Sequence, residues 1–160
     1  IEVKLNTDFF EYKKKNDLTN TKIIYTGPID SYFNNLGYQK LEYRSIDFKY
    51  QIYKDMNYYQ PNSVVNYPEK DYPFTRIVEY KHFLNQESKD TIIVSETTND
   101  EGEPYYPIPN KKNIELYEEY KKLAEKENNV YFVGRLANYK YFNMDQAIKN
   151  SISFFNKSFL

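Results

Sequence analysis

LEYRSIDFKYQIY, residues 41–53, is the stretch whose reading decides the fold. Ile46, Phe48, Tyr50 and Ile52 fall on one side and Ser45, Asp47, Lys49 and Gln51 on the other. This is the period-two pattern of a long, half-buried antiparallel strand. Downstream, Ser63 to Tyr67, Thr75 to Tyr80 and Thr91 to Ser95 are shorter strand candidates separated by Pro-, Asn- and Asp-rich turns. Sequential strands with short polar connections predict a meander. The expected class is α+β: a mainly antiparallel sheet of about six strands with flanking helices, built chiefly between Leu41 and Glu96.

Outward from that sheet, Ile1 to Leu5 alternates as a strand, and Asp8-Phe-Phe-Glu-Tyr12 opens a short helical or turn segment. Lys22 to Tyr25 reads as a strand stopped by Gly27-Pro28, and Asp30 to Leu36 as a short helix ended by Gly37. On the other side, Lys112 to Glu127 predicts a charged surface helix with Leu116, Tyr117, Tyr120, Leu123 and Ala124 as its buried stripe. Val130 to Val133 is a short apolar strand. It runs into Gly134 and then a closing helix, for which Asn143 is the natural N-cap and Gln146 the capping-box partner. Met144, Ala147, Ile148, Ser151, Ile152 and Phe155 recur at helical spacing, so that face is expected to pack against a sheet. A strand, a Gly-led turn and a helix N-terminus gather unpaired N–H groups at one spot, which suits a phosphate or a flavin edge. The same pattern also fits an ordinary capped helix with a structural arginine.

Composition narrows the function classes. At 160 residues and 40% apolar content the chain can bury one respectable core. It has no cysteine for a disulfide or thiolate metal site, and metal ligation is not expected. A formal net charge of -1 gives no electrostatic case for nucleic acid. No apolar run has the length of a membrane span, and Ile-Glu-Val-Lys-Leu is no signal peptide, so the chain reads as cytoplasmic. The 19 tyrosines fit half-buried strands and sugar-binding clefts, and equally an AT-rich codon usage.

GRLANYKYFNMD (134–145) resembles the C-terminal signature of UDP-galactopyranose mutases, flavoenzymes that interconvert the pyranose and furanose forms of UDP-galactose. KIIYTGPIDSYF (22–33), KLEYRSIDF (40–48), YPFTRIVEYKHF (72–83) and GEPYYPIP (102–109) match the same family in the same order. In such enzymes reduced FAD attacks the anomeric carbon and expels UDP, while the protein neutralises the diphosphate and seats the sugar. The resemblance implies that Arg76 binds the diphosphate, that Tyr106 and Tyr141 bond to it, and that Glu96 is an acid of the substrate site. It places Arg135, Arg44, Tyr141, Asn143 and Met144 toward the flavin, and Arg76, Tyr106, Tyr141 and Asn143 in the catalytic set. UDP-galactose is the implied partner, and a homo-oligomer is compatible with the family.

The same resemblance divides the chain into a remnant of an FAD-binding domain (1–36), an antiparallel substrate domain (37–110), and the helix and closing strand-helix of the FAD-binding domain (111–160). The glycines at 27, 37, 102 and 134 do not make the Gly-x-Gly-x-x-Gly fingerprint that approaches a dinucleotide pyrophosphate. The expectation is therefore a C-terminal portion of a mutase that, alone, neither holds FAD nor turns over. Two residues depart from the family pattern: Asn143 stands where an Asp is usual, and Tyr80 where a His is common. A divergent paralogue acting on a related nucleotide sugar would fit these changes. The alternatives are a non-catalytic sugar-binding module and another FAD-dependent, amine-oxidase-like protein.

Overall fold

A computed structural model describes all 160 residues. In order the chain forms α1 (Phe9–Lys15), β1 (Ile23–Tyr25), α2 (Ile29–Tyr32), β2 (Tyr43–Tyr53), β3 (Val64–Asn66), β4 (Arg76–Glu79), β5 (Thr91–Asn99), β6 (Tyr106–Pro107), α3 (Lys111–Ala124), β7 (Val130–Phe132) and α4 (Met144–Phe159). It is the expected α+β chain with a mainly antiparallel sheet. Contacts gather into two units, one of residues 1–41 with 109–160 and one of residues 42–108.

The 42–108 unit is a five-stranded sheet in the order β3-β4-β5-β2-β6. β3, β4 and β5 form the expected meander, but β2 does not pair with its sequence neighbour β3. It lies instead along β5, from Ser45 opposite Asn99 to Tyr53 opposite Thr91. Length explains the choice, because a three-residue β3 cannot satisfy the ladder of an eleven-residue strand, whereas β5 has nine residues. That pairing also carries β5 past the expected end at Ser95, because Glu96 to Asn99 meet Phe48 to Ser45. The Ile108 N–H donates to the Glu42 carbonyl at 3.1 Å, so the two ends of this unit are tied together.

Behind β4 lies a buried polar network. Glu79 is fully buried and its carboxylate accepts from the Tyr59 and Gln60 N–H groups at 3.0 Å, from the Thr91 hydroxyl, and from His82 Nε2 at 3.2 Å. Two residues on, the buried Lys81 ammonium donates to the Asn57 carbonyl at 2.6 Å and the Asp90 carbonyl at 3.3 Å. Glu79 and Lys81 thus fasten the loops on either side of β4, and Tyr80 between them turns outward and is exposed.

In the other unit β1 and β7 pair in parallel, with Ile23 opposite Val130 and Tyr25 opposite Phe132. Their core is aromatic. The Tyr32 ring packs on Phe132 at 5.0 Å and Tyr25 at 5.2 Å, and Phe33 stacks on Phe132 at 5.6 Å. Buried phenols find backbone acceptors: Tyr120 donates to the Gln39 carbonyl at 2.9 Å and Tyr25 to the Pro28 carbonyl at 3.1 Å. On α3 the buried Tyr120 is flanked by half-buried Leu116, Tyr117, Leu123 and Ala124, the stripe its spacing predicts. A left-handed Gly37 (φ 71°) closes the turn after Leu36, also as expected.

Two expectations fail here. Ile1 to Leu5 forms no strand and its apolar side chains are exposed, because alternation without a neighbouring edge leaves the backbone unpaired. On α4 the docked side is rotated from the expected face. Phe154 and Phe159 reach the Tyr131 ring at 5.5 and 5.3 Å, while Met144, Ile148, Ile152 and Phe155 are all exposed. The helix carries a wider apolar arc than one two-stranded ribbon can cover. No helix of the chain is long and apolar enough to cross a membrane.

Candidate functional site

Directly opposed residues of an antiparallel pair project from the same face, so the strand register shows which side chains share a surface. Asn66, Arg76, Glu96 and Phe48 stand in one row across β3, β4, β5 and β2. The next row is Val64, Val78, Val94 and Tyr50. Farther along the same face in the other direction, Arg44 of β2 opposes Tyr106 of β6. Four sequence-predicted residues, Arg44, Arg76, Glu96 and Tyr106, therefore come from four different strands onto one face.

Arg76 Nε lies 3.5 Å from Glu96 Oε2, with the arginine side chain 44% exposed. Arg44 pairs with Asp100, both exposed. Exposed ion pairs of this kind add little to stability. Their consequence is orientation: each guanidinium is held at one edge by a carboxylate and keeps further donors for an incoming anion. Phe48 and Tyr105 meet edge-on at 5.6 Å beside the Arg76 row. Guanidinium groups on the strands of one sheet, with carboxylates and an aromatic edge beside them, suit an anionic ligand that also carries hydroxyls.

Asn66 and Tyr50 also belong to this surface and were not singled out by the sequence. Their place follows only from register, since residue 66 meets residue 76, and residue 50 meets residue 94, through long-range pairing that no local pattern encodes.

The remaining predicted residues gather in the other unit, beyond the carboxyl end of β7. The Val133 N–H donates to the Tyr25 carbonyl at 3.1 Å, and Gly134 follows at φ 100°, a conformation that favours glycine. Residues 134–142 then form a tight loop. The Asn138 N–H reaches the Gly134 carbonyl at 2.9 Å, the Lys140 N–H the Arg135 carbonyl at 2.9 Å, and Asn138 Nδ2 the Phe132 carbonyl at 3.0 Å. Across this loop Arg135 donates to the Phe142 carbonyl and lies over the Tyr141 ring at 5.2 Å. Asn143 and Gln146 make the expected capping box, with the Asn143 N–H donating to Gln146 Oε1 at 2.9 Å, and α4 begins at Met144. Arg135, Tyr141, Asn143 and Met144 are thereby brought to one corner, with Tyr141 and Met144 exposed. At the carboxyl ends of parallel strands, beside the start of a helix, backbone and cationic donors can meet an anionic or electron-rich ligand.

The family model of UDP-galactopyranose mutase matches residues 1–141. Among curated relatives, a probable UDP-galactopyranose mutase of Klebsiella pneumoniae is 35% identical over 156 residues, 95% of this chain and 39% of its own length. The UDP-galactopyranose mutase of Mycoplasma genitalium is 41% identical over 146 residues, 86% of this chain and 35% of its own. The dTDP-fucopyranose mutase of Escherichia coli is 34% identical over 134 residues, 81% of this chain and 35% of its own. The chain thus spans between a third and two-fifths of the length of these relatives. With the family model covering most of its residues, the chain belongs to the UDP-galactopyranose mutase family.

Proposed function

We propose that this chain is part of a flavin-dependent mutase that interconverts UDP-galactopyranose and UDP-galactofuranose, working in the cytoplasm to supply furanose units for cell-surface polysaccharide. The observation that carries the reading is the shared face: Arg44, Arg76, Glu96 and Tyr106 stand together on one side of the sheet in a chain of this family. Arg76 neutralises charge on the diphosphate as the sugar–phosphate bond breaks, which stabilises the transition state more than the ground state. Tyr106 and Tyr141 hold the diphosphate, and Glu96 keeps the Arg76 guanidinium oriented while accepting from a sugar hydroxyl.

The donor set beyond β7 fits the edge of a flavin. Arg135, braced on the Phe142 carbonyl and the Tyr141 ring, supplies a fixed cation, and Asn143 and Met144 stand at a helix start. With Arg44, these are the residues that would hold FAD. The reduced cofactor, when bound, supplies the nucleophile for the anomeric carbon. In this reading residues 1–36 and 111–160 belong to the FAD-binding domain and residues 37–110 to the substrate domain. Support for a larger flavin domain comes from β1 and β7, a two-strand parallel ribbon with Ile24 exposed, and from the uncovered apolar side of α4. The 160 residues alone are not expected to retain FAD or turn over, because the contacts here are too few to offset the entropy of binding.

The test is steady-state turnover by the chemically reduced intact enzyme that carries this chain, with flavin content checked for each variant. Arg76→Lys keeps the charge and loses the fork; kcat/KM should fall at least about tenfold, ~1.4 kcal/mol, and Arg76→Ala should fall further. An Arg76→Ala enzyme with undiminished kcat/KM would remove Arg76 from the site. A second reading, a mutase for another nucleotide sugar, is favoured by one observation: the E. coli dTDP-fucopyranose mutase is about as similar to this chain as the K. pneumoniae relative. Turnover of dTDP-fucopyranose in preference to UDP-galactopyranose would decide for it.

A further inference from the structure

We propose that Asn57, Ser88 and Asp90 form a monovalent-cation site whose resident cation is the tethered ammonium of Lys81, and that potassium or ammonium ions take the site when the tether is cut short. Lys81 is 5% exposed, and its Nζ lies 2.6 Å from the Asn57 carbonyl, 3.1 Å from Asn57 Oδ1, 2.5 Å from the Ser88 carbonyl and 3.3 Å from the Asp90 carbonyl. An ammonium has three protons, one fewer than the oxygens around it, so these contacts surround an ion rather than satisfy separate directed bonds. The Tyr58 ring closes another side, its centroid 5.0 Å from Nζ. Carbonyl cages of this kind stand in for the water around a bare cation.

The ligands decide the class of ion. All are neutral carbonyl and amide oxygens, which suits a single positive charge, whereas divalent ions call for more ligands with carboxylates among them. The Asp90 carboxylate is engaged elsewhere, by Lys54 at 2.5 Å and by the Asp55 N–H at 3.1 Å. Potassium is the alkali ion closest to ammonium in size. An open cavity of about 250 Å³, lined by Asp55, Asn57, Ser88 and Lys89, reaches two of the cage residues, and so gives a free ion a path from solvent. Asn57 lies in the connection between β2 and β3, Ser88 and Asp90 in that between β4 and β5, so an ion at the Nζ position ties the two connections together. The tether makes the occupant intramolecular, and free ions do not displace it in the parent protein.

Lys81→Met keeps the stem out to the ε-carbon and removes the charged head, which leaves an ion-sized gap. Hydrogen exchange in the intact protein that carries this chain, followed at the Tyr59, Gln60 and Gln86 amides, reads how often the two connections open. In about 0.2 M chloride salt, exchange in the variant should be about tenfold slower with potassium or ammonium than with tetramethylammonium, ~1.4 kcal/mol, as a site with a Kd of about 20 mM requires. Lithium, too small to touch every oxygen of the cage, should leave exchange fast. Exchange in the parent should not depend on which of these cations is present. If the variant fails to fold in tetramethylammonium chloride, potassium chloride should restore it. Equal exchange of the variant in all of these salts, or a variant unfolded in each, overturns the proposal. A parent protein that responds to potassium as the variant does also overturns it, because the ion would then act at another place.

Discussion

Replacing Glu79 by Gln changes almost no volume yet should be among the most damaging single substitutions in the 42–108 unit. Each carboxylate oxygen takes two donors: Oε1 from the Tyr59 N–H and the Thr91 hydroxyl, Oε2 from the Gln60 N–H and His82 Nε2. A glutamine offers one oxygen and one NH2, so whichever way it turns a buried backbone N–H faces another donor. One orphaned donor costs about 1–3 kcal/mol, and the surviving bonds lose their charge assistance. A total of about 2–4 kcal/mol follows, which for a chain of this length lowers Tm by roughly 5–15 °C. Burial pushes the Glu79 carboxyl up, but the bonds from Thr91, Tyr59, Gln60 and His82 outweigh it and hold the group below its ordinary 4.5. A depressed folded pKa contributes stability that is present above the unfolded value and lost as pH falls through the folded one. Thermal unfolding followed by circular dichroism should therefore show a wide gap between parent and variant at pH 7 that narrows below about pH 4. A Tm unchanged within about 1 °C at pH 7 would refute the hydrogen-bond reasoning, and a gap that persists undiminished at low pH would refute the charge.

Asn143→Ala removes the N-cap of a helix with no buried residue, at a cost of about 1 kcal/mol, so the Ala147 amide, bonded to the Asn143 carbonyl, should exchange about fivefold faster. Unchanged exchange would show that the cap is idle. Gly134→Ala forces an L residue to φ 100° and should cost about 1–3 kcal/mol, measured by denaturant unfolding; a neutral result would mean that the loop can relax. The Tyr25 phenol is pushed up to about 12 by burial first, then by Asp30, Asp8 and Tyr32. Because its folded pKa is raised, the stability it contributes is present below pH 10 and is lost as pH rises toward 12. Tyr25→Phe should flatten that alkaline limb of Tm against pH, and an unaltered limb would assign it to other phenols.

What the sequence disclosed was what local chemistry controls. The Asn143–Gln146 capping box, the Gly37 stop and the α3 stripe each depend on residues within a turn or two of one another, and each is found where its spacing places it. The β2–β5 ladder joins Ser45 to Asn99, and nothing near Ser45 specifies that partner. For the same reason the row of Asn66, Arg76, Glu96 and Phe48 could not be assembled beforehand, although Arg76 and Glu96 were each identified from their motifs. At the N-terminus the alternation of Ile1 to Leu5 is genuine but lacks a partner. On α4 both sides of the apolar arc satisfy the helical period, so periodicity alone could not say which side meets Tyr131.

The parallel bond between β1 and β7 sets an order of events during synthesis. Ile23 emerges from the ribosome long before Val130, and at about 5–20 residues per second β1 waits roughly 5–20 s for its partner. Everything the 42–108 unit needs is translated in the interval, so that sheet can form first. Once it does, the Ile108–Glu42 hydrogen bond brings its two ends together and removes the intervening residues from the loop that β1 and β7 must close. The shorter effective loop lowers the closure entropy by about 1 kcal/mol. A destabilised sheet should accordingly delay the aromatic core as well, because the loop between β1 and β7 then keeps its full length.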